Sequence, residues 1–419
     1  MAQLIVEQSM NLKGEINISG AKNSALVVMC ASLLSDDDLI LKNVPHLHDI
    51  NTLQKVLHSL GVTTSFANNT MVLNARNISN LTADYELVRT MRASILVLGP
   101  LLAKHKEAIV SLPGGCAIGA RPVDQHIKGL KAMGAEIIIE NGYIHAKTDG
   151  LKGAKVVFDV ITVTGTENIL MAAVLADGET ILENAAIEPE VTDLANCLVQ
   201  MGAKISGIGS NVITVQGVKQ LHGAEYNVMP DRIETGSFAV AAAITQGDLV
   251  LRKTNPHLLT TVLDKLTEIG AIIQTGADYI HIYMSTKPKP FDIVTKPFPC
   301  FPTDLQAQFM ALATVAEGSS LFHETIFENR YMHASELTRM GANIEVHGSY
   351  AKVHGVEQLH GAPVMATDLR ASMSLILAGL CAEGTTIIDR IYHLDRGYEN
   401  IEHKLGNVGA KITRKTLDK

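Results

Sequence analysis

Cysteine is scarce in this 419-residue chain: Cys30, Cys116, Cys197, Cys300 and Cys381 are odd in number and have no paired spacing. A disulfide framework and a thiolate zinc site are therefore not expected, and no metal is read into the chain. No apolar run reaches the ~20 residues needed to span a bilayer. The longest, such as residues 24–34, suit a buried helix. The opening Met1-Ala-Gln-Leu-Ile-Val-Glu7 has no basic segment leading into an apolar one, so no secretion signal is read there and a cytoplasmic location is expected. Charged residues make up only 19% of the chain, with a net charge of −8, and aromatics 4%. Without a basic run, or a basic stripe interleaved with aromatics, neither nucleic acid nor a membrane is an expected partner. An acidic chain can still bind an anion where its positive charges converge.

What is present is apolar content, 47%, in a chain too long for one ordinary core, which describes a globular protein of two or more domains. The chain is also repetitive. A short phrase recurs six times, as Leu60-Gly61-Val62, Met133-Gly134-Ala135, Met201-Gly202-Ala203, Ile269-Gly270-Ala271, Met340-Gly341-Ala342 and Val408-Gly409-Ala410. Successive glycines lie 73, 68, 68, 71 and 68 residues apart. A second phrase keeps the same beat: Ala176-Asp-Gly-Glu-Thr-Ile-Leu182, Ala316-Glu-Gly-Ser-Ser-Leu-Phe322 and Ala382-Glu-Gly-Thr-Thr-Ile-Ile388 each close a helical run in a small polar turn before an apolar strand.

Each unit reads helix, strand, helix, glycine turn, strand, hairpin, strand. The glycine is the residue expected at positive φ after a helix. The stretch after it, for example Ala135-Glu-Ile-Ile-Ile-Glu140, carries the β-branched residues of a strand. Units of this length exceed a simple solenoid repeat, whereas three per domain give an ordinary domain size. We expect an α/β protein with one domain over residues 22–229 and another over 1–21 plus 230–419, divided near Val228-Met-Pro-Asp-Arg232.

Unusual polar residues fall in two phases of the repeat. The first is the start of the first helix, with Lys22-Asn23-Ser24, Arg89-Thr-Met-Arg92-Ala-Ser94, Thr164-Gly-Thr-Glu-Asn168, Asp231-Arg232-Ile-Glu234-Thr-Gly236, Pro302-Thr-Asp304-Leu-Gln306 and Thr367-Asp368-Leu-Arg370-Ala-Ser372. Ser, Thr and Asp there suit N-caps. A cation at a helix start opposes the dipole, so Lys22, Arg92 and Arg370 need another reason. An anionic ligand against the helix N-termini supplies one; scattered surface cations are the alternative. Asp304 is either a cap or, among cations, a general base toward a hydroxyl.

The second phase is the loop before the second helix, with Glu188-Pro-Glu190, Phe327-Glu-Asn-Arg330 and His393-Leu-Asp-Arg396-Gly397. Equivalent loops of a regular repeat lie at one end, which would gather Arg121, Arg330 and Arg396 near Lys22 and Arg370. Planar arginine forks suit a ligand rich in phosphate and carboxylate oxygens. The same phase holds Leu112-Pro-Gly-Gly-Cys-Ala-Ile-Gly-Ala-Arg-Pro-Val-Asp124, where Cys116 stands among Gly114, Gly115 and Gly119. This is either a plain glycine-rich turn or a flap presenting a thiol whose pKa Arg121 lowers.

These residues resemble one family. Gly20-Ala-Lys-Asn-Ser24, Arg89-Thr-Met-Arg-Ala-Ser94, the Cys116 loop with Arg121-Pro-Val-Asp124, Pro230-Asp-Arg-Ile-Glu-Thr-Gly236, Phe301-Pro-Thr-Asp304, Phe327-Glu-Asn-Arg330, Thr367-Asp-Leu-Arg-Ala-Ser372 and Asp389-Arg-Ile-Tyr-His-Leu-Asp-Arg-Gly-Tyr398 look like the UDP-N-acetylglucosamine enolpyruvyl transferases along essentially the whole chain. The resemblance implies a two-domain inside-out α/β barrel of six βαβαββ-like repeats, three per domain, with the active site between the domains. It implies transfer of the enolpyruvyl group of phosphoenolpyruvate to the 3′-hydroxyl of UDP-N-acetylglucosamine, by addition–elimination through a tetrahedral ketal with release of phosphate. That is the first committed step of peptidoglycan precursor synthesis and uses no metal or organic cofactor.

Carried over by motif, Cys116 resembles the proton-donating thiol that also bonds to phosphoenolpyruvate and is alkylated by fosfomycin. Lys22, Asn23, Arg121, Arg330, Arg370 and Arg396 match phosphoenolpyruvate-binding positions, and Lys22 and Arg396 count among the catalytic groups. Asp304 resembles the carboxylate that contacts the sugar hydroxyl and accepts its proton. Arg92, Arg121, Pro122, Val123, Asp124, Gln125, Thr162, Val163, Gly165 and Ile326 match nucleotide-sugar contacts. The chain departs from the pattern at Val160, where many members carry a lysine after the aspartate; only backbone contacts from Thr162 to Gly165 are then implied there. The chemistry is coherent: clustered cations bind a compact anion and stabilise shifting charge, the methylene carbon needs an acid and later a base, and a glycine-hinged loop excludes water. A sister transferase acting on shikimate 3-phosphate and a silent nucleotide-sugar-binding relative are the alternatives.

Overall fold

The computed structural model describes residues 2–89, 91–112 and 123–416. They form two compact units, a middle unit of residues 20–112 and 123–229 and a split unit of residues 2–19 and 230–416, each with its own apolar core. The repeat glycines shape both. All six take left-handed backbone angles, with φ of 106° at Gly61, 90° at Gly134, 101° at Gly202, 115° at Gly270, 94° at Gly341 and 101° at Gly409. That region is strained for an L side chain. Each of these glycines ends a helix and turns the chain into a strand at the edge of a sheet.

The strands form six four-stranded sheets. Lys155–Val157 pairs parallel with Glu179–Glu183, which pairs antiparallel with Val212–Gln216, itself in a hairpin with Lys204–Ser206. The other sheets repeat this plan, and the sixth varies it. There Ala2–Glu7 lies antiparallel between Thr385–Asp389 and Lys411–Thr416, where a hairpin strand would otherwise stand. Strands bury alternate residues, as Leu249 and Leu251 in Asp248–Arg252. The helices Lys22–Ala31 and Val163–Ala173 in the middle unit are buried nearly all round, as are Arg232–Ile244, Gln306–Ala313 and Leu369–Cys381 in the split unit. A helix apolar on all sides belongs in a core, and a sheet with one apolar face can cover it with the other face to water. Each unit is therefore inside-out, with helices within and sheets outside.

Several helix starts are capped as their residues suggest. Thr162 Oγ1 accepts from the Gly165 N–H at 3.2 Å. Asp231 Oδ1 accepts from Ile233 and Glu234 at 2.8 and 2.9 Å, and Asp368 Oδ1 from Arg370 and Ala371 at 2.8 and 3.1 Å. Such caps each contribute about 1 kcal/mol. The second repeat departs from the others: its first helix is broken into Tyr85–Val88, a 3-10 turn Arg92–Val97 and Leu98–His105. No helix of the described residues is long and apolar enough to cross a membrane.

Candidate active site

In the split unit, Asp304 stands at the centre of a charge cluster. It lies in the 3-10 turn Thr303–Leu305, ahead of the helix Gln306–Ala313, where its position suits a cap. Its carboxylate receives two arginines: Arg330 Nη2 at 2.9 Å on Oδ1, and Arg370 Nε and Nη2, each at 3.1 Å, on Oδ2. Both arginines are almost completely buried, 6% exposed for Arg330 and 3% for Arg370. A buried guanidinium without a partner costs several kcal/mol, which explains why each needs the carboxylate. Burial works against the Arg370 charge, and Asp304, Tyr398 and Asp231 together more than offset it, so its pKa is raised. Arg370 Nη1 nevertheless has no hydrogen-bond partner among the described residues. The cluster thus holds a buried, permanently charged donor with capacity for one more acceptor.

The turn that presents Asp304 is built by a residue the motif reading passed over. Glu324, 2% exposed, accepts from the Thr295 and Thr303 hydroxyls and from the N–H groups of Ile326 and Phe327. Thr303 Oγ1 in turn receives Arg330 Nη1 at 2.9 Å. Ile326 is half-buried on this tied loop. Arg396 is half-buried in the turn Leu394–Arg396.

In the middle unit, Lys22 is the first residue of the helix Lys22–Ala31 and is 7% exposed. Its Nζ lies 3.2 Å from Asp49 Oδ2, and Asp49 is 2% exposed in the first turn of His48–Leu60. Asn23 beside it is exposed. Lys22 and Arg370 each stand against a helix dipole, and each already faces an internal carboxylate. An external anion is therefore not the sole reason for a cation at these starts.

The remaining expected residues are spread more widely. Cys116, Arg121 and Pro122 lie outside the described residues. Arg92 is half-buried at the start of its 3-10 turn. Val123 is buried, Asp124 exposed, and Gln125 is 5% exposed with its amide bridging Asp124 and Asp159. Thr162 and Val163 are half-buried, and the N–H of buried Gly165 is already used by the Thr162 cap. Val160, in the departing segment, is 60% exposed. Among the described residues, no group of three or more His, Cys, Asp or Glu could hold a metal ion. Of the described cysteines only Cys300 is exposed. Burial pushes the thiols of Cys30 and Cys197 up, and that of Cys381 to about 12.

A family model described as EPSP synthase (3-phosphoshikimate 1-carboxyvinyltransferase) matches residues 6–405, nearly the full chain. The chain belongs to this enolpyruvyl transferase family. Solved structures agree on the fold. The enolpyruvyl transferase NikO from Streptomyces tendae superposes with a TM-score of 0.89 at 22% identity, over 100% of this chain and 99% of that one. An EPSP synthase from Acinetobacter baumannii does so at 0.77 and 19% identity, over 99% and 100%. The two-unit, six-sheet architecture is thus the enolpyruvyl transferase fold.

Proposed function

We propose that this enolpyruvyl transferase moves the enolpyruvyl group of phosphoenolpyruvate onto the 3′-hydroxyl of UDP-N-acetylglucosamine and releases phosphate. The observation that carries the donor is the Nη1 of buried Arg370, which has no hydrogen-bond partner among the described residues, beside Arg330 and Asp304. A compact anion with phosphate and carboxylate oxygens satisfies such a donor. The acceptor rests on sequence, on the Cys116 loop and the Arg121-Pro-Val-Asp124 segment that follows it.

In this reading the acceptor oxygen bonds to C2 of phosphoenolpyruvate as its methylene carbon takes a proton from Cys116. Asp304 accepts the hydroxyl proton. The resulting ketal loses phosphate as the bond from C2 to the phosphate oxygen breaks, and the Cys116 thiolate left by the first step takes a proton from the methyl carbon, which restores the double bond and the thiol. Lys22, Asn23, Arg121, Arg330, Arg370 and Arg396 bind the donor anion and stabilise the departing phosphate. Arg92, Val123 to Gln125, the 162–165 backbone and Ile326 bind the nucleotide sugar. A peptidoglycan-precursor role follows from that acceptor.

The family model's own description favours a second reading, with shikimate 3-phosphate as acceptor. One assay separates them: phosphate release from phosphoenolpyruvate with each acceptor in turn. We expect release that depends on UDP-N-acetylglucosamine. Equal or faster release with shikimate 3-phosphate overturns the assignment, and no release with either leaves a silent binding relative.

A further inference from the structure

We propose that Tyr398 is a positioning residue, holding Arg370 and the Arg396 segment in register through a buried hydroxyl network. The inference rests on the phosphoenolpyruvate reading of the arginine cluster. Tyr398 is 2% exposed. Its hydroxyl lies 2.8 Å from Ser237 Oγ, and Gln308 Nε2 donates to both oxygens, at 3.0 and 3.1 Å. Ser237 gives its own proton to the Ile233 carbonyl at 2.8 Å. The Tyr398 O–H is therefore the donor toward Ser237.

Two further contacts bring the same residue to the cations. The Arg370 guanidinium carbon lies 5.6 Å from the centroid of the Tyr398 ring, within cation–π range. One residue earlier, a Cβ at Gly397 would fall 2.4 Å from Leu369 Cδ1, so the backbone after Arg396 is pressed against the residue just before Arg370. The phenol thus ties the helix of Ser237, Arg232–Ile244, and that of Gln308, Gln306–Ala313, to the start of Leu369–Cys381. Packing alone asks only for a ring of this size, which phenylalanine supplies. A buried hydroxyl is costly unless bonded, and its satisfied bonds define one arrangement of the three helix starts. Held by the ring on one side and Asp304 on another, Arg370 is fixed with its buried Nη1 still unpartnered among the described residues.

The test measures phosphoenolpyruvate binding by calorimetry and the KM of both substrates. It uses wild type, Tyr398→Phe, Arg370→Lys and the double variant, with an unfolding temperature for each. Tyr398→Phe should weaken phosphoenolpyruvate about 5–10-fold, the worth of one lost hydrogen bond, and leave the acceptor KM within about twofold. In the Arg370→Lys background it should add little, because coupled residues are not additive. Ser237→Ala removes the acceptor of the same O–H and should reproduce the split, which keeps the test open if Tyr398→Phe does not fold. Unchanged phosphoenolpyruvate binding, equal weakening of both substrates, or full additivity overturns the proposal. If wild type binds phosphoenolpyruvate but transfers only to shikimate 3-phosphate, the acceptor reading fails while the calorimetric split still judges Tyr398. A wild type that binds no phosphoenolpyruvate overturns both.

Discussion

Acidification from pH 7 to 5 should destabilise the middle unit through one imidazole, that of His126, which is 2% exposed. Its protonation state is legible from its neighbours. The Asn168 amide is oriented by Gly99, whose N–H reaches Oδ1 at 2.6 Å, and by the Ile95 carbonyl, which receives Nδ2 at 3.0 Å. The same Nδ2 faces His126 Nδ1 at 3.0 Å, so Nδ1 is the acceptor and the hydrogen sits on Nε2, toward Thr164 Oγ1 at 3.3 Å. Protonating Nδ1 would set one N–H against another. Burial first, and then the charge of Arg92, pull the imidazole pKa down to about 4, against a smaller opposing pull from Asp124. The folded value lies below the unfolded one of ~6.5, so the unfolded chain takes up the proton first. Stability is therefore complete above pH 6.5 and falls as the pH drops toward 4.

At pH 5 the loss through this group amounts to about 2 kcal/mol, some 1.5 pH units at 1.36 kcal/mol each. Urea unfolding at pH 7, 6 and 5 measures it, with His126→Asn as the comparison, since asparagine can place an acceptor near Nδ1 and does not titrate. The variant should be less stable at pH 7 and lose about 2 kcal/mol less than wild type on going to pH 5. An identical loss in the two proteins would refute the reasoning.

Asp304→Asn removes the charge that two buried arginines face. It should lower turnover about 100-fold or more if Asp304 is the base, and lower the unfolding temperature in phosphate-free buffer. Millimolar phosphate should restore that temperature by replacing the lost charge; no drop, or no rescue, argues against the cluster as an anion site. Fosfomycin should modify Cys116 and abolish turnover, and peptide mapping that finds the adduct at exposed Cys300 instead would remove the thiol's role.

The repeat was open to reading because its punctuation is local. Gly61 to Gly409 need left-handed angles, and a glycine after a helical run announces that need in the sequence itself. Asp231 and Asp368 likewise cap the residues next to them. Where partners come from elsewhere in the chain, sequence reading stops. Asp304 is shaped like a cap, and only the approach of Arg330 and Arg370, 26 and 66 positions away, shows that its carboxylate faces other charges. Asp49 and Glu324 carry no motif of their own, and Tyr398 closes one that assigns it no role; burial gives all three their roles. The broken first helix of the second repeat was missed for a related reason. The fixed amide of Asn168, a residue of the third repeat, takes up the Gly99 N–H in the helix Leu98–His105.

The strand Ala2–Glu7 has a consequence for biosynthesis. Gln3 and Asp389, 386 positions apart, hydrogen-bond at 2.6 Å, and the strand's ladder partners on both sides lie beyond residue 384. On the ribosome, this strand emerges well ahead of its partners and must wait for residues 385–389 and 411–416 before its sheet exists. The middle unit can pack as soon as its own residues are made. During that interval Leu4 and Val6, fully buried in the finished protein, stay open to water beside unpaired backbone groups. Such a segment is a ready template for wrong pairing, so the slow and vulnerable stage of making this protein belongs to the strand whose partners are made last.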